Sequence, residues 1–556
     1  MTTNPTSRDN VVPSWLVALL NVAAVCVVIY AVRLILSRPL RFDDAFMFER
    51  YAIHLRQGLG VSWNPDGVHT GGMTSLGWFV AVIPLVFLPF RHGQPLALES
   101  FVFGIAGMAL IAWGASKLAS SALLKRFWLV FPVLIVVLVN VHFFLPNMVN
   151  GMDTMLSFAA NAALCCGIWA WTTGDRPNSR AATLVAVLGV CVVCVRPENG
   201  VLAVLGPLLA GALLLDTRQR GELVRWGVTF VGLLALYGIA YRAYFHAWFP
   251  LGFYMKAGHA YLGYVGAQRF PPDVYVRDFL LLAVPILAFP MMCVQWRTAR
   301  IAIVYLVPVL LTFGYLTTVT QIMGSFSRYY VPFLAPVIVA ALWMTDLTRQ
   351  TNWKQALGQR WRVTAVAAVL VAGAAAVGWR PLHRWSQRRQ YVAAYAAPKL
   401  VFPAGKDLPE QVWFSTASLI ASDVVKPMPA GTVIATSEVG IIGVSAPQVN
   451  VIDLAGLNDN NIALHGFDMD RLLDRKPAFI WFPHFDYTWQ RRSMFCSPRL
   501  LQEYTVIGGN SFIYSVAIRR DAPETSQLTA SVAKAFAQLY PGVEMMDYAV
   551  SSVSCQ

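Results

Sequence analysis

Thr74-Ser75-Leu76-Gly77-Trp78-Phe79-Val80-Ala81-Val82-Ile83-Pro84-Leu85-Val86-Phe87-Leu88-Pro89-Phe90 is the stretch on which the topology turns. It is apolar enough to resemble a crossing, but it holds two prolines and follows the flexible pair Gly71-Gly72. Proline removes a helix hydrogen bond and clashes with the preceding turn. A juxtamembrane or re-entrant helix therefore fits 74–90 better than a span. Eleven further apolar runs lie near 15–36, 97–117, 127–144, 154–172, 181–195, 199–215, 226–244, 279–295, 301–320, 329–346 and 363–380. Runs approaching about 18 residues read as transmembrane helices.

Composition agrees with that class. The 556 residues are 57% hydrophobic and 13% charged, against about 25% charged in average soluble proteins. The first run is too long for the apolar part of a cleaved signal peptide and has no small-residue site after it. The net charge is +14, yet Pro381–Gln556 holds 15 basic and 15 acidic residues. The excess thus sits wholly in the apolar part. Basic charge there reads as topology and as contact with anionic lipid and phosphate. Nucleic-acid binding would need a basic soluble module, which the sequence lacks.

Short loops rich in Lys and Arg, such as Lys117–Arg126, Asp216–Arg225 and Arg349–Arg362, belong in the cytoplasm by the positive-inside rule. Pro146–Asp153, His246–Arg277, Gln321–Arg328 and the C-terminal tail then face outside. If 74–90 does not cross, Asp43-Asp44 faces outside too. The expected fold is a polytopic α-helical membrane protein with about eleven spans, its N-terminus inside, plus juxtamembrane helices. Residues 1–380 form the membrane part, with a first external loop at 37–96. Residues 381–556 form a soluble extracytoplasmic α/β domain, because short β-rich runs appear at 433–436, 449–452, 479–482 and 512–516, with a helical pattern at 530–539. Six of the eight cysteines lie in apolar runs, and Cys191 and Cys194 read as packing rather than metal ligands. Cys496 and Cys555 could form a disulfide if the tail is extracytoplasmic.

Ionisable groups beside membrane segments are costly and mark function by default. In Arg41-Phe42-Asp43-Asp44-Ala45-Phe46, two adjacent carboxylates repel, which suits one of them to act as a general base on an alcohol; the alternative is a helix-capping pair. Arg50 follows one turn on, with pairing to Glu49 as its simpler role. His69 and Thr70 lie on a flexible return to the membrane, where substrate contact is expected. Asp153 either caps a helix or faces substrate. Glu198, in Arg196-Pro197-Glu198, either joins an internal ion pair or serves the site. Lys256 and Arg328 are two cations on the same side, able to hold a phosphate or to snorkel towards headgroups. Trp63, Trp78, Tyr254 and Tyr329 stand on that face as stacking surfaces or as part of the interfacial aromatic belt.

The order of motifs resembles a known family. Asp43-Asp44-Ala45-Phe46, Arg50-Tyr51-Ala52, Gly58-Leu59-Gly60, Trp63-Asn64-Pro65, Gly72-Met73-Thr74-Ser75 and Trp78 resemble the first external loop of bacterial GT-C glycosyltransferases. The nearest branch is the arabinofuranosyltransferase-like group of mycobacterial arabinan synthesis and pilin glycosylation. Gly151-Met152-Asp153-Thr154, Arg196-Pro197-Glu198, Tyr254-Met255-Lys256, Arg328-Tyr329, and the tail segments 438–443 and 451–457 extend the likeness over most of the chain.

The resemblance implies a bacterial plasma-membrane enzyme with a GT-C-type bundle. It would move a sugar, such as arabinofuranose, from a polyprenyl-phosphate donor to a glycan or protein acceptor on the outer face, by inversion. Asp44 or Asp43 would be the base. Lys256, Arg328 and Tyr254 would hold the donor phosphate. His69, Thr70, Asp153, Glu198, Arg50 and Trp63 would contact substrate. Some members bind a divalent metal, but no residues here fix a metal site. Gly71 stands where the group often has Glu, which leaves sugar and acceptor open. Two other classes compete: a ligase or polymerase of lipid-linked glycans, which usually carries its large external loop between helices, and a transporter, which usually shows inverted repeats and a midplane site.

Overall fold

In the computed structural model, the described residues are 12–88, 93–173, 178–256, 272–291, 296–317, 319, 325–349, 413–483, 487–507 and 515–541. The apolar part contains α1 (Ser14–Ser37), α2 (Asp43–Arg56), α3 (Leu76–Val82), α4 (Gln94–Leu118), α5 (Phe127–Val139), α6 (Phe144–Met148), α7 (Thr154–Thr173), α8 (Ser179–Val195), α9 (Gly200–Leu213), α10 (Arg220–Phe245), α11 (Leu251–Lys256), α12 (Pro272–Met291), α13 (Trp296–Leu316) and α14 (Leu334–Arg349). Six helical stretches among the described residues are long and apolar enough to cross a membrane: those of α1, α4, α7 and α10, Thr298–Leu316 in α13, and Val331–Thr348 through α14. The expected run at 363–380 lies outside the described residues. α5, with 13 residues, is about 20 Å long at about 1.5 Å per residue, short of a hydrocarbon core of about 30 Å.

Within the described residues 74–88, the helix changes form at Pro84. α3 ends at Val82, and Ile83–Phe87 continues as a 3-10 turn with Pro84 at its start. Together they span about 20 Å, again less than the core thickness. Ser75 accepts the Trp78 N–H and so caps α3.

Close packing in the bundle rests on small residues. A Cβ on Gly107 of α4 would stand 2.5 Å from Phe158 of α7, so these helices approach as small-residue seams do in membranes. α1 and α10 are instead largely exposed and carry apolar side chains outward, among them Ile29, Val228 and Ile239. Such surfaces are the mark of contact with lipid or a partner.

The tail adds α15 (Trp413–Leu419), a π-helical turn Ile420–Val425, α16 (Val439–Ser445), α17 (Asn460–His465), α18 (Met469–Asp474), α19 (Thr488–Phe495), α20 (Pro498–Glu503) and α21 (Thr525–Leu539). Its sheet holds β1 (Val433–Thr436), β2 (Asn450–Asp453), β3 (Phe479–Trp481), β4 (Tyr504–Ile507) and β5 (Val516–Arg519), in the order β2-β1-β3-β5-β4. β1, β2 and β3 run parallel, and β5 is antiparallel to both β3 and β4. Burial of β1 to β3 on both faces explains their continuous apolar runs. β4 was not foreseen: it follows α20 directly, with no turn residue between them to signal a strand. β5 begins only at Val516 and runs to Arg519; of the expected strand at 512–516, residues 512–514 lie outside the described residues. The domain boundary placed at residue 381 lies outside them as well.

The tail is docked on α2. α16 lies across it so closely that a Cβ on Gly440 would come within 1.9 Å of the Asp43 carbonyl oxygen, and one on Gly443 within 2.7 Å of Arg50. A second contact joins Leu251 and Met255 of α11 to Ala455, Ala463 and Tyr487 of the tail.

Candidate functional site

Four interruptions between helices meet at one cleft. The turn before α7 brings Asp153, the break after α8 brings Arg196 and Glu198, α11 ends in Lys256, and the segment before α14 brings Arg328 and Tyr329. Asp44, in the first turn of α2, reaches this group through Arg328. The cleft is open to one side and has a cavity volume of about 90 Å³.

Local sequence explains the placement. Gly151, at φ +71°, turns the chain into α7. Asn147 donates to the carbonyl of Phe326 and so ties that turn to the Arg328 segment. Pro197 cannot continue α8, and a 3-10 turn there leaves Arg196 at the helix end. Phe326 and Ser327 both adopt φ near +57°, a left-handed conformation that costs about 1–3 kcal/mol for a non-glycine residue and clusters at functional sites. That turn delivers Arg328 inward.

The charges are partly matched. Arg196 Nε stands 2.8 Å from Glu198 Oε1 and 3.7 Å from Asp153 Oδ2, and its Nη1 donates to the Arg328 carbonyl at 3.0 Å. Arg328 is 3% exposed. Its Nη2 donates to Asp44 Oδ2 at 3.1 Å and to the Tyr329 hydroxyl at 3.1 Å, while its Nε and Nη1 are buried without an acceptor. Its guanidinium lies 5.1 Å from the ring centres of Phe42 and Tyr329. Lys256 Nζ is 3.4 Å from the Tyr329 hydroxyl. Burial pushes the Tyr329 phenol up, but Arg328, Lys256 and Arg196 together bring it below its ordinary value. Burial raises the Asp153 carboxyl, against the pull of Arg196, Arg328 and Lys256. The cleft thus has a cationic centre with buried donors free for an anion, and a carboxylate at its edge.

The acidic pair divides. Asp43 points away from the cleft: it is 4% exposed, and its two oxygens accept the backbone N–H groups of Gly440 at 2.7 Å and Ile441 at 2.8 Å. Asp43, read from the sequence as an alternative base, thus uses both oxygens in the joint with the tail in this structure. Burial pushes its carboxyl up to about 6; the N–H bonds from Ile441 and Gly440 oppose this, and Asp44 adds to it. A carboxyl whose folded pKa lies above its unfolded 3.8 holds more proton folded than unfolded. Stability should therefore fall as pH rises from about 4 to about 6 and level off above. Thermal unfolding across that window should show this limb in the wild type and a flatter one in Asp43→Ala.

Arg50 and Trp63, expected at the substrate, are also placed in this joint. Arg50 is fully buried and donates to the carbonyls of Trp63 at 2.7 Å, Gly443 at 2.5 Å, Ala446 at 3.2 Å and Val449 at 2.8 Å. Burial draws its guanidinium down to about 9, still charged at neutral pH. Trp63 lies under Arg50 and donates its indole N–H to Val451. Both serve the joint with the tail, as does His54, whose ring nitrogens lie 3.0 Å from the carbonyl oxygens of Ser62 and Pro447. His69 stacks on Tyr244 at 4.1 Å, and Thr70 bonds back to the Val68 carbonyl; neither borders the cleft. Tyr254 sits in an aromatic cluster with Phe249 and Phe253. Tyr329, noted in the sequence only as an aromatic, emerges as the hydroxyl that joins Arg328 to Lys256.

Among the described residues, no group of three His, Cys, Asp or Glu is placed to hold a metal ion. Asp44, Asp153 and Glu198 are each paired with an arginine, so they do not form a ready cation cage. Residues 411–529 match a family described as a domain of unknown function (DUF8728), which covers most of the docked tail. No curated protein matches the chain.

Proposed function

We propose that the chain is a membrane glycosyltransferase that uses a lipid-phosphate sugar donor. One observation carries this reading: buried Arg328 binds Asp44 through one nitrogen and keeps two further N–H groups without acceptors, beside Lys256 and Tyr329. Buried donors of this kind call for a partner, and a phosphate oxygen suits a guanidinium and an ammonium together. Asp44 takes the proton from an acceptor hydroxyl. That oxygen forms its bond to the anomeric carbon as the carbon–phosphate oxygen bond breaks, and the lipid phosphate leaves onto Arg328 and Lys256. Attack opposite the leaving phosphate inverts the configuration. The sequence resemblance points to a polyprenyl-phosphate donor, arabinofuranose as a candidate sugar, and a glycan or protein acceptor.

The same reading places the protein in a bacterial plasma membrane with its tail outside. Cys496 is disulfide-bonded, a state favoured in oxidising compartments. A reporter fused after Gln556 should report the extracytoplasmic side; a cytoplasmic signal would overturn that topology. The function is tested by transfer from a radiolabelled polyprenyl-phosphate sugar in purified, lipid-reconstituted protein. Lys256→Ala should raise the apparent KM for donor about tenfold, the worth of about 1.4 kcal/mol, and leave that for acceptor within about twofold. An unchanged donor KM would remove Lys256 from the phosphate site.

A further inference from the structure

We infer that the C-terminal domain is a working part of the cleft, and that Asp43 is the positioning residue through which it aims Asp44. This rests on Asp44 being the base proposed above.

Three observations converge. First, the carboxylate neighbouring Asp44 is held by the two N–H groups of Gly440 and Ile441. This pins the first turn of α2, where consecutive residues share one rigid backbone. Second, the joint tolerates little adjustment. Gly440 meets the Asp43 backbone with no room for a Cβ, and Arg50, two turns along α2, is held by carbonyls at and beyond the end of α16. α2 is thereby fixed at two points. Third, the tail also touches a helix that lines the cleft. Leu251 and Met255 of α11 pack on Ala455, Ala463 and Tyr487, and α11 ends at Lys256. A single domain therefore sets the carboxylate and one of the cations. A misplacement of about 1 Å at a catalytic group is enough to cost about a hundredfold in rate.

The experiment uses the full chain in lipid nanodiscs, with Asp43→Ala from the bundle side and Gly440→Ala from the tail side. Each should lower kcat about 10- to 100-fold with donor KM changed less than about threefold. Asp43→Asn, which keeps one acceptor oxygen, should recover part of the loss. Thr529→Ala, on an exposed face of α21, should leave kcat unchanged. Hydrogen exchange is measured on the same samples. The α2 segment 43–50 and the Arg328 segment should exchange faster in Asp43→Ala and Gly440→Ala, while β1 and β2 stay protected, which shows the tail still folded. Wild-type kcat in either folded variant overturns the inference, as does unchanged exchange of 43–50. If the wild type transfers no sugar, the glycosyltransferase reading fails by itself, and the exchange result alone still decides whether Asp43 fixes α2 and its neighbour Asp44.

Discussion

Asp44→Asn is expected to reduce sugar transfer about 10²- to 10⁴-fold, the usual contribution of a general base, with the protein still inserted and folded. The amide matches the carboxylate in size and keeps one oxygen for Arg328 Nη2, which now stands 3.1 Å from Asp44 Oδ2. Packing is thus retained, and the loss should fall on kcat. Donor binding should stay within a few-fold, since the proposed site assigns the phosphate to Arg328 and Lys256. Single-turnover transfer and donor binding, measured side by side, separate the two. Wild-type turnover in purified Asp44→Asn would end the assignment of this residue as base.

Arg50→Ala should instead unfold the joint. It leaves the carbonyls of Trp63, Gly443, Ala446 and Val449 without their shared donor. Each buried group left unsatisfied costs about 1–3 kcal/mol, so the loss is on the order of 4 kcal/mol or more. The expected result is a lower yield, a lower Tm and fast exchange across 439–449. Arg50→Lys should recover only part, because an ammonium cannot reach several diverging carbonyls as a planar fork does. A folded Arg50→Ala with an ordinary Tm and a raised substrate KM would return Arg50 to substrate binding.

These two residues show where sequence reading reached and where it stopped. Asp44, Asp153, Glu198, Lys256 and Arg328 stand at junctions between apolar runs and helices, and the cost of an ionisable group at such places singled them out. The structure gathers all five at or beside one cleft. Arg50 and Asp43 satisfied the same criterion, and Trp63 was singled out as an aromatic on the same face, but the structure places all three in the joint with the tail. Their partners lie between Gly440 and Val451, far along the chain, and nothing local to 43–63 announces them. α16 was equally hidden. Its sequence Val439-Gly440-Ile441-Ile442-Gly443-Val444-Ser445 has two glycines and β-branched residues, a poor helix by propensity, and it is held in shape by the contacts that Asp43 and Arg50 supply. The prolines of 74–90 were a local signal, and there the sequence reading and the broken helix coincide.

The joint between α2 and α16 also sets an order in time. The Asp43–Gly440 bond links groups 397 residues apart. At about 5–20 residues per second, about 20–80 s pass between the synthesis of α2 and that of its partner. Throughout that interval Arg50 lacks the carbonyls of Gly443, Ala446 and Val449, and Asp43 lacks its two N–H donors. A chain halted during synthesis before residue 440 would carry a finished apolar bundle and a bare, charged helix. Such a product invites proteolysis, so the joint, and the arrangement of the cleft that it supports, would be completed only in chains that had been made to the end of the docking segment.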